Sequence, residues 1–402
     1  MSVRFLHAAD LHLGLRLTRF EGDAARRISL ARIEALDKLK KAAIEHRVQF
    51  VIIAGDIYDD NAVAASMVNR VFEILNGSTW PGSVFIIPGN HDPLTPGSVW
   101  ERDPWKREQP HKSVRLLRSS EPVHLPELST TLFPCPLRHR TSVDDPTAWI
   151  AGHPRTGDGT IRIGIAHGSL NIMPNLPEDD HLIPKDAAER LGLDYLALGH
   201  WHSPLVHGSR TAYPGTHEPM RFPNVTTSNS TGWIDYSPNG SSDLFADNGH
   251  GTAYIVEIDG PGAIPRLEKI EVSRLRWLYE EIDATSHKPG QMMKDYTERP
   301  DRERTLMRLR LTGVLTPRDH RRLDELKEVI EDQYHLGSTF DADAVLIEPT
   351  EDELRAAVGN GVLPKVLERL KADLEALDAD RRTVAAHALK ILYRLAWEDR
   401  PA

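Results

Sequence analysis

In the first half of the chain, one short apolar run after another ends on the same few residue types. Asp10-Leu11-His12, Gly55-Asp56, Gly89-Asn90-His91-Asp92, His167-Gly168 and Gly199-His200-Trp201-His202 each follow such a run. The runs at 51–54, 84–87, 161–165 and 195–198 have the pattern of strands buried on both faces of a sheet. Helical patterns separate several of them. One covers about 25–46, with Ile33, Leu36, Leu39 and Ala43 along a face; another covers about 62–76, with Val68, Val71, Phe72 and Leu75 spaced i, i+3, i+4, i+7. Strands alternating with helices predict a layered α/β core. Such folds place ligands at the carboxyl edge of the sheet. Motifs scattered from residue 10 to residue 202 are therefore expected to become neighbours.

The residue types are those of a metal site. Asp10 and His12 point the same way from an extended segment and can chelate one ion, although the pair alone fits a helix cap or a solvated turn equally well. Asp56 has two carboxylate oxygens, enough to serve two cations. Asp59, Asp60 and Asn61 read as candidate caps for the helix near 62. Asn90 offers an amide oxygen, and His91 is better placed as a general acid than as a ligand. Asp92 is expected to hold the His91 ring in one tautomer. His167, His200 and His202 stand at strand ends in register with the carboxylates. His7, inside the first strand, reads as a satisfied core residue or a support for the ligands, and His217 and His250 are given no role. The seven candidate ligands include no thiolate. This nitrogen and oxygen set suits manganese, iron or zinc and disfavours a structural zinc site. Two ions roughly 3.5–4 Å apart across a carboxylate can generate a hydroxide and stabilise an in-line phosphoryl displacement. That is hydrolysis of a phosphate ester.

Composition sets outer bounds. A chain of 402 residues without a long apolar stretch predicts two or three domains and no membrane span. Residues 3–8 lack the character of a secretory signal, and the single cysteine, Cys135, favours a reducing compartment; the expected location is cytoplasmic. The net charge of −10 argues against an autonomous duplex binder. Residues 100–140 lean basic through Arg102, Lys106, Arg107, Lys112, Arg115 and Arg118, which reads as a local nucleic-acid path or as a solvated loop. The expected division is a catalytic domain over 1–272 with a polar insertion at about 216–251, a small α/β domain over 273–348, and a helical region over 349–402. Val384, Leu389, Ile391, Leu392, Leu395 and Trp397 make the end of that last region apolar. They can dock on the chain's own core or receive a partner.

Taken together, the five motifs resemble the complete signature of calcineurin-like metallophosphoesterases. The opening Phe5-Leu-His-Ala-Ala-Asp10-Leu-His-Leu-Gly14 is similar to the DNA repair exonuclease branch, the nuclease subunit of SbcCD-type double-strand-break repair complexes. The resemblance covers 1–215 specifically and 275–345, as a capping domain, more loosely. It implies one metal held by Asp10, His12, Asp56 and His202, a second held by Asp56, Asn90, His167 and His200, and His91 as the catalytic histidine. It also implies DNA as substrate, manganese as the usual metal and a coiled-coil SMC-like ATPase docked on the C-terminal helices; a homodimer is a further expectation, with the polar stretch at 216–251 able to order on DNA, mediate the dimer or simply connect strands. The polar stretch after Gly215 is longer than the family's usual return to a strand. Phosphoprotein phosphatases carry Arg and Glu where this chain has Asp60 and Asp92, which argues against that substrate class. The expected activity is a metal-dependent DNA phosphodiesterase. A phosphodiesterase for cyclic nucleotides or other small diesters is the enzymatic rival, and a degenerate scaffold is the third reading, disfavoured by the complete ligand set.

Overall fold

The computed structural model describes residues 2–18, 20, 22–77, 79–106, 113–157, 159–223, 250–334, 336–347, 362–375 and 378–398. The chain forms two compact units, Met1–Leu278 and Tyr279–Ala402. The strands of the first are β1 (Val3–Ala8), β2 (Phe50–Ala54), β3 (Ser83–Ile87), β4 (Val114–Leu116), β5 (Val123–Leu125), β6 (Thr130–Pro134), β7 (Ile161–His167), β8 (Tyr195–Gly199), β9 (Leu205–His207), β10 (Thr211–Tyr213), β11 (Thr252–Ile258) and β12 (Arg266–Glu271). Among the described residues they make two six-stranded sheets, in the orders β12-β11-β1-β2-β3-β4 and β5-β6-β7-β8-β10-β9. From β1 to β4 the neighbours are parallel, as are β6, β7, β8 and β10, while the other neighbouring pairs in these two sheets are antiparallel.

The apolar runs explain the layering. Successive side chains of a strand point to opposite faces, so a strand apolar at every position must be covered twice. Phe5, Phe50, Ile52, Phe85 and Ile87 of the first sheet meet Ile163, Ile165 and Tyr195 of the second. Their neighbours Leu6, Val51, Ile53, Val84 and Ile86 meet α1 (Gly22–Glu45) through Ile33, Leu36 and Leu39, and α2 (Ala65–Leu75) through Val68, Val71 and Leu75. On the far face of the second sheet, Phe133, Ala166, Leu196 and Leu198 pack with Leu191, Trp201 and Tyr213 beside α3 (Ala187–Arg190). The result is a layered α/β core, as the alternation of strand and helix patterns predicts.

One local expectation fails. The N-cap of α2 is Ala64, without a side-chain cap, so Asp59, Asp60 and Asn61 do not cap it. Asp60 accepts the Ala62 N–H at 2.6 Å, Asn61 accepts the Val99 N–H at 2.9 Å, and Asp59 turns toward histidines. The expected insertion begins inside the fold. Thr216, His217 and Glu218 are buried, and Thr216 pairs with Ala9. Residues 224–249 of the expected insertion lie outside the described residues.

The second unit carries a three-stranded sheet of β13 (Arg276–Asp283), β14 (Thr305–Leu315) and β15 (Ser338–Ile347), in that order. Helices α4 (Pro289–Glu298), α5 (Pro317–His320) and α6 (Arg322–Gln333) accompany it, followed by α7 (Leu363–Leu374) and α8 (Ala379–Glu398). Leu389 and Leu392 of α8 pack with Leu367 and Leu370 of α7 and Ile347 of β15, whereas Val384 and Ile391 stay exposed. The side chains of Leu395 and Trp397 lie outside the described residues. No described helix is long and apolar enough to cross a membrane.

Phe50 stacks on Phe5 at 4.9 Å and meets Phe85 edge-on at 5.8 Å between the two sheets. Phe50→Ala is expected to cost about 3–5 kcal/mol, read as a lower urea midpoint for the Met1–Leu278 transition. An unchanged midpoint would show that the sheet interface repacks freely.

Candidate metal centre

The motif residues converge at the end of the two sheets, on backbone that side chains rarely adopt. Asp10 has φ 54°, His12 43°, Asp56 52° and His200 110°. Each such non-glycine residue costs on the order of 1–3 kcal/mol and persists only where its surroundings over-determine it. Here they do. The N–H groups of Asp10, His12 and Leu13 bond the carbonyls of Gly55 at 3.2 Å, Asp56 at 2.9 Å and Ile57 at 2.8 Å, zipping the first motif onto the second. Thr216 Oγ1 donates to the Asp10 carbonyl at 2.8 Å, and the buried Arg32 guanidinium donates to the Leu11 carbonyl at 2.8 Å. Asp56 Oδ1 accepts the His91 N–H at 2.8 Å, and the Asp10 carboxylate accepts the His200 N–H at 2.9 Å. Gly89 leaves room for this arrangement, since a Cβ there would collide with the Asp56 carboxylate.

Acceptors outside the cluster orient the rings. His167 Nδ1–H donates to the Ala54 carbonyl at 2.8 Å, so Nε2 turns inward. His200 Nε2–H donates to Asp180 at 3.1 Å, so Nδ1 turns inward. His12 Nδ1–H donates to the Asp59 carboxylate at 3.2 Å, leaving Nε2 for the site. Outer acceptors of this kind fix the tautomer and orientation of metal-binding histidines. The inward atoms are then crowded. Asn90 Oδ1 lies 2.8 Å from His167 Nε2 and 3.1 Å from His200 Nδ1, and His12 Nε2 lies 3.0 Å from His202 Nε2. Asp56 Oδ2 stands between the two groups, 3.3 Å from His167 Nε2 and 3.7 Å from His12 Nε2.

Lone pairs this close need a proton or a cation among them. An ion about 2.1 Å from each donor would see such pairs near a right angle, as neighbouring ligands in one coordination sphere. Ligand atoms within 4.8 Å of one another occur in the sets Asp10–His12–His202, His12–Asp56–His91 and Asp10–Asp56–His167. The donor set fits divalent cations.

The electrostatics agree. Burial pulls Asp56 upward, but the charge and hydrogen bond of His167, with His12 and His91 nearby, hold its carboxyl well below the ordinary range. Burial opposes charge on His167 too, yet Asp56 and Asp10 raise it to about 9. Burial, countered by His167 and reinforced by Asp56, lifts Asp10 to about 8. Burial lowers His12, and it takes His202 well below the imidazole range, with His12 adding to the effect. Without a cation, protons hold the carboxylates together.

Asp92 departs from expectation. Its oxygens accept the Tyr58 N–H at 2.9 Å and the Gly89 N–H at 2.8 Å, bracing the loop, while His91 Nδ1–H donates to the Asp59 carbonyl at 2.9 Å. His7 sits in the core, its Nδ1 2.9 Å from the Tyr195 hydroxyl. Asp59 and Asp180 are the residues that motif reasoning missed. The basic stretch is partly consumed internally. Arg102 donates to the carbonyls of Val63 and Asn61, Arg118 to those of Trp100 and Trp105, and Arg115 lies over the Phe85 ring. Arg107 and Lys112 lie outside the described residues.

The calcineurin-like phosphoesterase family matches residues 3–204, half of the chain, and the chain belongs to that family. Membership implies a hydrolase acting on phosphoester bonds with divalent metals. Relatives include the uncharacterized metallophosphoesterase YhaO of Bacillus subtilis, 26% identical over 52% of this chain and 52% of its own length. They also include the DNA double-strand break repair protein Mre11 of Methanopyrus kandleri, 26% identical over 56% of this chain and 50% of that protein, and Mre11 of Aeropyrum pernix, 27% identical over 58% of each. The chain spans a little over half the length of these curated relatives. A solved structure, TT1561 of Thermus thermophilus, aligns with a TM-score of 0.37 and 13% identity over 68% of this chain and 100% of that one.

Cation binding must displace protons from Asp10 and His167, raised to about 8 and about 9. Both are raised, so each carries more proton at pH 6 than at pH 9. Manganese affinity is therefore expected to climb from pH 6 to 9, with proton release visible calorimetrically as a dependence on buffer ionisation heat; a flat profile would remove these two groups from the site. Asp180→Ala frees His200 Nε2 and is expected to weaken manganese binding by about 10–100-fold at an unchanged melting temperature, measured by calorimetric titration.

Proposed function

We propose that this chain is a metal-dependent DNA phosphodiesterase of DNA repair or processing, with two cations sharing Asp56. The observation that carries the reading is the place of Asp56 Oδ2, between His167 Nε2 at 3.3 Å and His12 Nε2 at 3.7 Å, where two groups of inward lone pairs meet. Asp10, His12, Asp56 and His202 would hold one ion, and Asp56, Asn90, His167 and His200 the other. Bound there, manganese, or iron or zinc, supplies charge neutralisation and Lewis-acid polarisation to a phosphodiester. His91 is the proton donor to the leaving oxygen. Its Nδ1–H is committed to the Asp59 carbonyl, which leaves Nε2 as the working atom, and its side chain is 29% exposed, within reach of substrate.

The named Mre11 relatives support DNA as the substrate. On this reading residues 273–348 act as a capping domain and 349–402 as the docking region for a coiled-coil SMC-like ATPase. Among the described residues, Val362, Leu363, Val366, Leu374, Val384 and Ile391 are its exposed large apolar side chains. A cytoplasmic place and a homodimer belong to the same reading. A second reading, hydrolysis of cyclic nucleotides or other small diesters, draws support from the net charge of −10 and from Arg102 and Arg118, whose guanidinium groups are spent on backbone carbonyls.

The test is hydrolysis of linear single- and double-stranded DNA, cyclic nucleotides and bis-p-nitrophenyl phosphate, with manganese and with chelator. DNA cleavage that chelator abolishes is expected. His91→Ala should keep the metal and lose about 10²–10⁴-fold in kcat, whereas Asp56→Ala should lose the metal. Cleavage of the small esters alone would select the second reading, and loss of metal from His91→Ala would make His91 a ligand.

A further inference from the structure

A cavity of about 760 Å³ opens beside the metal centre, within the roughly 300–1,000 Å³ typical of small-molecule sites. Its walls come from the loop after β1, the first turns of α1 and the segment leading into α2. Two of its residues belong equally to the centre. Leu13 directly follows His12, and its N–H is pinned to the Ile57 carbonyl at 2.8 Å. Asp59 receives His12 Nδ1–H on its carboxylate and His91 Nδ1–H on its carbonyl. A group entering the cavity therefore sits one residue from a candidate ligand and against the support of the candidate proton donor.

The lining selects what part of a substrate can enter. Asp59 and Asp60 place two carboxylates in the wall against one guanidinium, Arg16. Asp59 is held below the ordinary carboxylate range, its burial outweighed by the His12 hydrogen bond and charge. A phosphate would meet net repulsion there and is better held at the cations. The uncharged part of an ester fits. Leu15, Leu17, Val63 and Met67 are apolar, Phe20 brings an aromatic ring held edge-on to Trp277 at 5.6 Å, and Thr18 and Ser29 add hydroxyl groups. An aromatic ring in an apolar wall with a few polar groups is what an unstacked base uses.

We propose that the cavity receives one unstacked nucleoside whose phosphate is held at the metal centre. The proposal rests on the phosphodiester reading of that centre. It makes the site selective for nucleotide esters and requires the substrate strand to give up one base from its stack.

The test is calorimetric binding to the full-length, manganese-loaded protein, with thymidine 5′-monophosphate and methyl phosphate as probes. The nucleotide is expected to bind about tenfold or more tightly than methyl phosphate, the scale on which an apolar pocket discriminates. Met67→Trp, on α2, and Ala25→Trp, on α1, fill the cavity from two walls, so one remains informative if the other folds poorly. Each should bring the nucleotide down to the methyl phosphate affinity and leave methyl phosphate and manganese binding within about twofold. Equal affinities in the unaltered protein, or a nucleotide preference that survives both substitutions, would overturn the cavity proposal alone. Binding of neither probe would overturn the reading of the centre and the proposal with it.

Discussion

The Asp56 carboxylate is the interaction on which the rest depends. It is an anion almost wholly removed from water at the meeting of two sheets, and an unpaired buried charge of that kind is not tolerated. Its neighbours answer this constraint one by one. The His91 N–H takes Oδ1, the rings of His167 and His12 face Oδ2, and Gly89 stands where any side chain would strike the carboxylate. The two rings have their own outer anchors, in the Ala54 carbonyl and the Asp59 carboxylate, as His200 has in Asp180. Moving Asp56 would leave several polar groups unpaired at once.

The strained backbone follows from the same demand. Strand ends normally splay into solvent, but here Asp10, His12, Asp56 and His200 must aim their side chains at one point, and left-handed φ values are how the chain achieves it. That strain is offset by the apolar layers behind it. Phe5, Phe50 and Phe85 lock the strands from one side and Ile33, Leu36 and Val68 from the other. The strand carboxyl ends thus have little freedom to relax. The Arg32 guanidinium adds a clamp from α1 that reaches both the Leu11 carbonyl and the residues after Tyr213, through Thr216 Oγ1 and the Glu218 carbonyl. The return segment is part of the site's scaffold, not an appendage.

Much of this is legible in the sequence, and the failures share a cause. Buried strands advertise themselves through unbroken apolar runs, and the position of Asp56, Asn90, His167 and His200 at the ends of those runs is enough to bring them together. Outer partners carry no such mark. Asp180 lies in a loop that follows no apolar run, and its own contacts with Ser142 and Ser169, with the pairing of Leu170 and Ile183 beside them, carry it back to His200. Asp59 reads as a helix cap because Asp, Asp and Asn stand in a row, yet the helix starts later and His12 claims the carboxylate while His91 takes the carbonyl. Asp92 reads as the partner of His91 because the two are adjacent. On a tight turn adjacent side chains diverge, and Asp92 braces Tyr58 and Gly89 instead. Thr216 to Glu218 read as the start of a polar insertion, but they are buried and bond the carbonyls of Asp10 and Arg32 and the N–H of Arg274.

On the proposed reading, the same electrostatics reconcile an acidic chain with a polyanionic substrate. Asp10, Asp56, Asp59, Asp60 and Asp180 gather around or beside the candidate metal centre, and the chain carries ten more formal negative than positive charges. A phosphodiester approaching that field without cations meets repulsion. Two divalent ions held there would set four positive charges against the carboxylates of Asp10 and Asp56 and make the local sign positive. Phosphate recognition would then come from the ions, with Asp56 among the residues that hold them. The organic part of the substrate would be left as the feature that the chain itself can read, and the apolar cavity that shares Leu13 and Asp59 with the centre is where the proposed nucleoside selectivity would reside.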